Sequence, residues 1–259
     1  MDHSGLNAHM AHFYLASLIG VILFSLGPAV PFAQTSRLAE AGASEVLARS
    51  SFASCVQELA AQAQAKGLSS EVIQQNLGGL TPDLDILAGA SSQPEFIKPI
   101  WDYLDAAVSE TRINTGRSKL AEWSEVLDAI ERTYGVDRHI VLAIWGIESS
   151  YGAVLEDSAI VKPVIRSLAT LACGDPNRAG FWRDQLLAAL QIVDRGEITP
   201  DRMTGSWAGA MGHTQFMPTT YLSHAVDFDG DSRRDMWGSV PDALASTANY
   251  LRASGWRSG

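Results

Sequence analysis

Apolar residues recur every three or four positions along most of the chain from residue 52 onward, which is the spacing of amphipathic helices. The segments with this spacing are 52–66, 69–77, 99–112, 118–134, 137–150, 163–172, 177–195 and 239–254. Several are followed by a glycine, a residue that commonly ends a helix: Gly67, Gly78, Gly135, Gly196 and Gly255. No alternation of apolar and polar residues is long enough to predict a strand. The pattern predicts an all-α or α-dominated domain at 51–259.

The first 50 residues have a different pattern. Residues 13–26 form a continuous apolar run, and no charged side chain occurs from His3 to Ser36. The run has the length of a signal-peptide core and is short for a membrane span, although no lysine or arginine precedes it. Residues 1–33 are therefore predicted to be a signal peptide, with an uncleaved N-terminal anchor that would hold the chain at a membrane as the alternative. Residues 34–50, small and polar, are predicted to be a linker. Export implies the periplasm or cell envelope.

Charge and cysteine content narrow the function classes. The 259-residue chain has a net charge of -10 and no cluster of lysine and arginine, which argues against nucleic acid as a partner. It contains two cysteines, Cys55 and Cys173. An even number of cysteines in an exported protein suggests a disulfide, and two buried free thiols are the alternative.

An acidic residue, Glu148, lies on the apolar face of the predicted helix 137–150. At about 100° per residue, Val141, Ile144 and Trp145 fall within about 60° of Glu148 on the helix surface. Burial raises the pKa of a carboxyl group, and a carboxylic acid that stays protonated near pH 7 can act as a general acid. The alternative is a structural glutamate at the edge of the apolar face, held by a hydrogen bond or an arginine.

A glycine-rich segment, 205–218, is predicted to be irregular. Its small residues allow close approach of the backbone, and it presents Ser206, Gln215 and the aromatic face of Trp207. Polar hydrogen-bonding groups between aromatic planes suit a sugar, which has hydroxyl groups and apolar ring faces. His213 is expected to line the same cleft without a catalytic role. The alternative interpretation is a tight corner where helices pack against glycine and alanine.

Carboxylates alternate with other residues along 227–235. Counted from the first of them, acids fall at positions 1, 3, 5 and 9: Asp227, Asp229, Asp231 and Asp235. With a backbone carbonyl from Arg233 at position 7, this is the ligand spacing of an EF-hand loop, which suits Ca²⁺. Ser232 replaces the usual glycine and Gly238 the final glutamate, so Asp242 is expected to supply the last carboxylate. The alternative is a solvated acidic turn.

Three stretches, 145–149, 206–218 and 227–235, together resemble the lytic murein transglycosylases of the membrane-bound transglycosylase B type, glycoside hydrolase family 103. The resemblance runs from about Phe52 to Trp256. It implies a lysozyme-like, α-rich fold with a substrate cleft between helical lobes and an EF-hand-like loop. It also implies cleavage of the β-1,4 bond between N-acetylmuramic acid and N-acetylglucosamine in peptidoglycan, with a 1,6-anhydro product and no catalytic cofactor.

The resemblance also assigns roles to individual residues. Glu148 matches the single acid/base, and the acetamido group of the substrate is expected to replace a second carboxylate. The expected substrate contacts are Ser206, Gln215, Phe216 at the cleft floor, and Tyr103, Arg178, Phe181 and Tyr250. The acidic loop matches a structural Ca²⁺ site. The expected partner is a peptidoglycan glycan strand, bound by a monomer.

The sequence departs from the family pattern at its C-terminal end, and this leaves two other functions as alternatives. Family members usually continue well past Trp256 with an aromatic-rich stretch that helps to line the cleft, so the domain is expected to be short at its C-terminus. A non-catalytic peptidoglycan-binding envelope protein and a hydrolytic muramidase on the same fold therefore remain as alternatives. Product mass separates the two enzymes, because hydrolysis adds a water and ring closure does not.

Overall fold

The architecture is almost entirely helical. The structure is a computed structural model that describes residues 34–90 and 99–257, with side chains for 50–87, 99–105 and 107–257. The helices are α1 (Gln34–Ala65), α2 (Ser70–Leu77), α3 (Leu84–Ala90), α4 (Ile100–Ala107), α5 (Glu110–Glu122), α6 (Ser124–Tyr134), α7 (Arg138–Ser149), α8 (Val164–Gly174), α9 (Ala179–Asp194), α10 (Pro218–His224) and α11 (Val240–Ala253). A 3₁₀ helix spans Ala153–Glu156, and β1 (Lys162–Pro163) pairs antiparallel with β2 (Thr204–Gly205).

Helix boundaries differ from the sequence prediction in three regions. The predicted helices 99–112 and 118–134 are three helices, because the chain breaks at Val108–Ser109 and again at Trp123. Ser109 starts α5 by accepting a hydrogen bond from the backbone N–H of Arg112 at 3.3 Å, which favours a new helix at this point. The segment 34–50, predicted to be a linker, is helical as part of α1. The helices α3 and α10 and the short β1–β2 pair were not predicted.

The buried apolar residues form two clusters. The larger one is built from α1, α2, α8 and α9 together with much of the segment 203–217. The smaller one joins α6 and α7 to α11. The two clusters meet in α11, where Ala243 belongs to the larger cluster and Leu244 to the smaller one. Helix α8 is the central helix, and most of its residues are buried, including the polar Ser167 and Thr170.

A disulfide joins the first helix to the central one. Cys55 of α1 and Cys173 of α8 are bonded, with their Cα atoms 5.9 Å apart and a sequence separation of 118 residues. Phe52, Val56 and Leu59 of α1 are buried on the same side of that helix. The bond and this apolar face together fix α1 against the larger cluster.

The described helices include none that is both long enough and apolar enough to cross a bilayer. The apolar run 13–26 and the whole segment 1–33, for which a signal peptide or an anchor is predicted, lie outside the described residues.

We expect reduction of the Cys55–Cys173 bond to lower the free energy of unfolding by about 2–5 kcal/mol, because opening so long a loop returns conformational freedom to the unfolded chain. Urea denaturation with and without reductant measures the change. A Cys55→Ser/Cys173→Ser variant should match the reduced protein and ignore the reductant. Equal midpoints for the oxidised and reduced protein would contradict the expectation.

Candidate active site

Glu148 lies in the last turn of α7, directly before the buried Ser149. The helix begins at Asp137, whose side chain accepts a hydrogen bond from the backbone N–H of His139 at 2.7 Å. On the face that Glu148 shares, Val141 and Trp145 are buried, as the apolar spacing predicts. Burial raises the pKa of the Glu148 carboxyl group from its ordinary value of 4.5 to about 8. Glu148 is therefore protonated at neutral pH and can donate a proton.

The Glu148 side chain lines a cleft whose open space, including the solvent at its mouth, is about 370 Å³. One wall comes from the segment after α7, and the other from β2 and the glycine-rich segment. The residues that line the cleft with Glu148 are Val154, Leu155, Ile160, Val161, Gly205, Ser206, Trp207 and Gln215. Ser206 and Gln215, two predicted substrate contacts, thus lie on the same cleft as Glu148. Trp207 adds an aromatic surface to it.

The turn that follows α7 has an unusual backbone. Ser150, Tyr151 and Gly152 have φ angles of 50°, 59° and 89°, in the left-handed region that ordinary residues avoid. The Tyr151 hydroxyl donates a hydrogen bond to the backbone carbonyl of Arg112 at 3.1 Å. Its ring fills a space at Gly116 and Gly146, where an added Cβ would come closer to the tyrosine than 3.0 Å. The two glycines therefore make room for the tyrosine that holds this turn.

The glycine-rich segment forms successive tight turns. The backbone N–H of Ser206 donates to the carbonyl of Ala210 at 2.8 Å, and the Ser206 hydroxyl accepts from the N–H of Ala210 at 3.1 Å. Gln215 has a positive φ of 53°, and its amide donates to the carbonyl of Gly212 at 2.9 Å. Gly209 packs directly on Leu168 of α8. The segment is thus both a close-packed corner and a wall of the cleft, so both interpretations of its sequence describe part of it.

The other predicted substrate contacts are not among the residues that line this cleft: Tyr103, Arg178, Phe181, Phe216 and Tyr250. Phe216 is buried in the larger cluster, with its ring centroid 5.8 Å from that of Tyr250. The Arg178 guanidinium lies 4.6 Å from the ring centroids of Phe181 and Trp182 at the start of α9. Tyr103 lies half-buried on α4. Contact of these side chains with substrate stays a prediction.

Sequence reasoning missed the apolar wall of the cleft. Val154 and Leu155 belong to the 3₁₀ helix, and Ile160 and Val161 precede β1. The signal was present, because two apolar pairs flank the exposed residues Glu156 and Asp157 directly after the Glu148 helix. The segment is too short and irregular for helical spacing to reveal it.

The acidic loop brings four carboxylates together. One oxygen from each of four residues lies within 4.8 Å of the others: Asp227, Asp229, Asp231 and Asp242. Oxygens that share a Ca²⁺ at 2.3–2.6 Å lie within about 5 Å of one another, so the group fits that ion in size and chemistry. Ser232, at the position where the EF-hand pattern has glycine, adopts a φ of 70°, so the turn forms without the glycine.

Asp242 is the buried member of this group. Its carboxylate accepts backbone hydrogen bonds from Phe228 at 2.7 Å and Asp235 at 2.9 Å, which fold the loop onto the start of α11. Burial raises the pKa of Asp242. Asp235, a predicted ligand, is outside the four-carboxylate group, because its side chain accepts from the backbone N–H groups of Trp237 and Gly238. The backbone carbonyl of Arg233 remains a predicted ligand.

Comparison with known proteins agrees with this arrangement. Residues 51–259 match the family described as Transglycosylase SLT domain. The chain belongs to this family. It is 39% identical over 140 residues to membrane-bound lytic murein transglycosylase B of Escherichia coli, an alignment that covers 53% of this chain and 37% of that protein.

Solved structures of Transglycosylase SLT domain relatives share the fold. SltB3 from Pseudomonas aeruginosa, in complex with NAG-NAM-pentapeptide, superposes with a TM-score of 0.74 at 47% identity, covering 80% of this chain and 54% of that one. The Escherichia coli lytic transglycosylase Slt35, in complex with calcium, gives a TM-score of 0.70 at 29% identity, covering 79% and 64%. The predicted α-dominated transglycosylase fold is confirmed. The chain spans about a third to two thirds of the length of these relatives.

We expect Glu148→Gln to stabilise the protein by roughly 3 kcal/mol at pH 7, and by almost nothing at pH 4. Between pH 4.5 and 8 the folded protein keeps the Glu148 proton that the unfolded chain releases, so rising pH favours unfolding until the folded group also ionises. Urea denaturation at pH 4, 6 and 8 measures the difference, with the exposed Glu156→Gln as the matched control. If Glu148→Gln raised the free energy of unfolding equally at all three pH values, a desolvated, neutral Glu148 carboxyl group would be contradicted.

Proposed function

We propose that this domain is a lytic transglycosylase that cleaves the β-1,4 bond between N-acetylmuramic acid and N-acetylglucosamine in peptidoglycan. The observation that carries the proposal is the half-buried Glu148 carboxyl group in a cleft that Ser206 and Gln215 also line, where burial raises its pKa to about 8. Membership of the Transglycosylase SLT domain family and the similarity to a SltB3 structure with a NAG-NAM-pentapeptide support the choice of substrate.

Glu148 acts first as an acid and then as a base. As the bond between C1 of the muramoyl residue and the bridging oxygen breaks, the carboxyl group donates its proton to that oxygen. The C6 hydroxyl of the same muramoyl residue then forms a bond to C1, and its proton passes to the Glu148 carboxylate. A 1,6-anhydro ring results, no water is consumed, and Glu148 regains its proton.

The composition of the cleft supports a mechanism with one carboxylate. Among the described residues that line it, Glu148 is the only acid. Glycosidases with two carboxylates use the second as a nucleophile or as a base for water. Here the acetamido oxygen of the substrate takes the place of the nucleophile: it bonds to C1 as the glycosidic bond breaks, and the C6 hydroxyl then displaces it. The apolar side chains of Val154, Leu155 and Ile160 line the cleft with Glu148 and restrict water there. Restricted water favours ring closure over hydrolysis.

The remaining cleft groups suit a sugar chain. Ser206 and Gln215 offer hydrogen bonds to the hydroxyl and acetamido groups of the muramoyl residue, and the Trp207 ring offers a surface for an apolar sugar face. Tyr103, Arg178, Phe181, Phe216 and Tyr250 are proposed to contact neighbouring parts of the substrate. The enzyme acts as a monomer on glycan strands in the periplasm or cell envelope, after export through the N-terminal apolar segment or while anchored by it.

The acidic loop is proposed to hold a structural Ca²⁺. Asp227, Asp229, Asp231 and Asp242 supply the carboxylate oxygens, which suit a hard cation, and the Slt35 structure in complex with calcium supports the choice of ion. When bound, the ion neutralises the mutual repulsion of these carboxylates. The chemistry on the glycan needs no cofactor.

We expect the protein to release anhydro-muropeptides from purified peptidoglycan, and Glu148→Gln to lower the rate at least 100-fold, because the amide has no proton to donate. Mass spectrometry of the soluble products makes the measurement, and Glu156→Gln is the control that should keep full activity. Products heavier by one water would favour a hydrolytic muramidase. Binding to peptidoglycan without any release would favour a non-catalytic envelope protein.

We expect Ca²⁺ to raise the melting temperature after treatment with a chelator. At a free Ca²⁺ concentration 100-fold above Kd, the free energy of unfolding rises by about 2.7 kcal/mol, which raises the melting temperature by roughly 5–10 °C for a domain of this size. Thermal unfolding with increasing Ca²⁺ measures it. Asp229→Asn should abolish most of the shift, whereas Asp184→Asn, an exposed aspartate on α9, should retain it. No shift at millimolar Ca²⁺ would count against the site.

A further inference from the structure

His213 contacts the end of the Glu148 helix from several directions. Its Nδ1 accepts a hydrogen bond from Nε1 of Trp145 at 3.1 Å. Its backbone carbonyl accepts one from the Ser149 hydroxyl at 2.6 Å. Its ring occupies the space beside Gly152, where an added Cβ would lie 2.5 Å from it. The three residues contacted lie on both sides of Glu148 in the sequence: Trp145 three residues before it, Ser149 one after it and Gly152 four after it.

The position of Glu148 depends on these contacts, because the turn that follows it is strained. Residues other than glycine are disfavoured in the left-handed region because Cβ crowds the following carbonyl oxygen, and both Ser150 and Tyr151 are in that region. Such a conformation persists only where the surrounding structure holds it. The Tyr151 ring holds the turn on the side of α5 and α7. On the opposite side the Ser149 hydroxyl links the His213 carbonyl to the N–H of Gly152, with the second bond at 3.0 Å.

The imidazole is suited to this role in its neutral form. Nδ1 can accept from Trp145 only while it carries no proton, and burial lowers the pKa of His213. The Trp145 side chain is almost completely buried, and its ring also meets those of Tyr151 and His213 edge to face, at centroid distances of 5.5 and 5.6 Å. Loss of the acceptor would leave the buried N–H of Trp145 without its partner, which destabilises the folded arrangement of this helix end.

We propose that His213 is a positioning residue, which holds the Glu148 carboxyl group at the depth and direction needed for proton transfer by fixing Trp145, Ser149 and Gly152. The effect on catalysis rests on the proposed lytic transglycosylase function. His213 is not among the residues that line the cleft, so it acts through the α7 helix end and not on the substrate. Errors of about 1 Å in the position of a reacting group can cost on the order of 100-fold in rate.

The test uses two substitutions that separate shape from hydrogen bonding. His213→Phe keeps a ring beside Gly152 but removes the acceptor, whereas His213→Asn places an oxygen close to the position of Nδ1. We expect kcat for peptidoglycan cleavage to fall about 10- to 100-fold in His213→Phe, with KM changed less than about threefold. His213→Asn should recover a large part of kcat. His139→Phe, at the exposed start of the same helix, is the matched control.

A second readout does not depend on activity. The pKa of Glu148, followed by NMR with labelled glutamate and assigned by comparison with Glu148→Gln, should fall towards its ordinary value in His213→Phe, because a loosened turn admits water. This shift tests the positioning role even if the wild-type protein releases no anhydro product, a result that would overturn only the proposed function. An unchanged Glu148 pKa together with wild-type kcat, or a change in KM alone, would overturn the role of His213.

If His213→Phe fails to fold, the double variant Trp145→Phe/His213→Phe makes the same test, since it removes donor and acceptor together. A positioning role predicts that kcat remains low in the folded double variant. Recovery of wild-type kcat there would mean that His213 only satisfies a buried N–H group, and would overturn the proposal.

Discussion

The site depends on the removal of one carboxyl group from water. Burial of Glu148 shifts its proton affinity enough to keep it neutral at pH 7, and this costs stability whenever the unfolded chain could ionise. The fold tolerates the cost because Glu148 extends from a helix end that is fixed on two sides. Tyr151 fixes one side, between glycines of α5 and α7, and the glycine-rich segment fixes the other through His213 and Ser149.

Helix α11 connects this site to the rest of the molecule. It belongs to both apolar clusters, and its first turn carries Asp242, the buried anchor of the acidic loop. From that loop, the Met236 carbonyl accepts the N–H of His213 at 2.9 Å, and Nε1 of Trp237 donates to the carbonyl of Thr204 at 2.8 Å. The cleft wall that starts at β2 is therefore attached at two points to a loop whose shape is set by carboxylates.

Features of the site that depend on residues close together in the chain could be predicted from the sequence. The helix that carries Glu148 and its apolar face depend on residues close in the chain, and the structure reproduces them. Of the predicted loop carboxylates it brings together Asp227, Asp229, Asp231 and Asp242, but not Asp235. Long-range packing was harder to predict. Phe216 is buried against Tyr250, and Val154 and Leu155 line the cleft from a turn too short to have a period. The helix break at Trp123 has no proline or glycine beside it. The apolar spacing therefore predicted one continuous helix, 118–134, where the structure has the end of α5 and the whole of α6.

The two walls of the cleft differ in how the Cys55–Cys173 bond constrains them, because only one of them lies within the loop that this bond closes. Glu148 and its helix lie inside the covalently closed loop of the chain, whereas Ser206 and Gln215 lie beyond it, in the open C-terminal part. In the unfolded protein the bond therefore lowers the conformational freedom of the segment that carries Glu148, but not that of the segment that carries Ser206 and Gln215. The site is therefore complete only when the open part packs against the closed part and supplies Ser206, Gln215 and the ring of His213, and the disulfide does not restrain that segment.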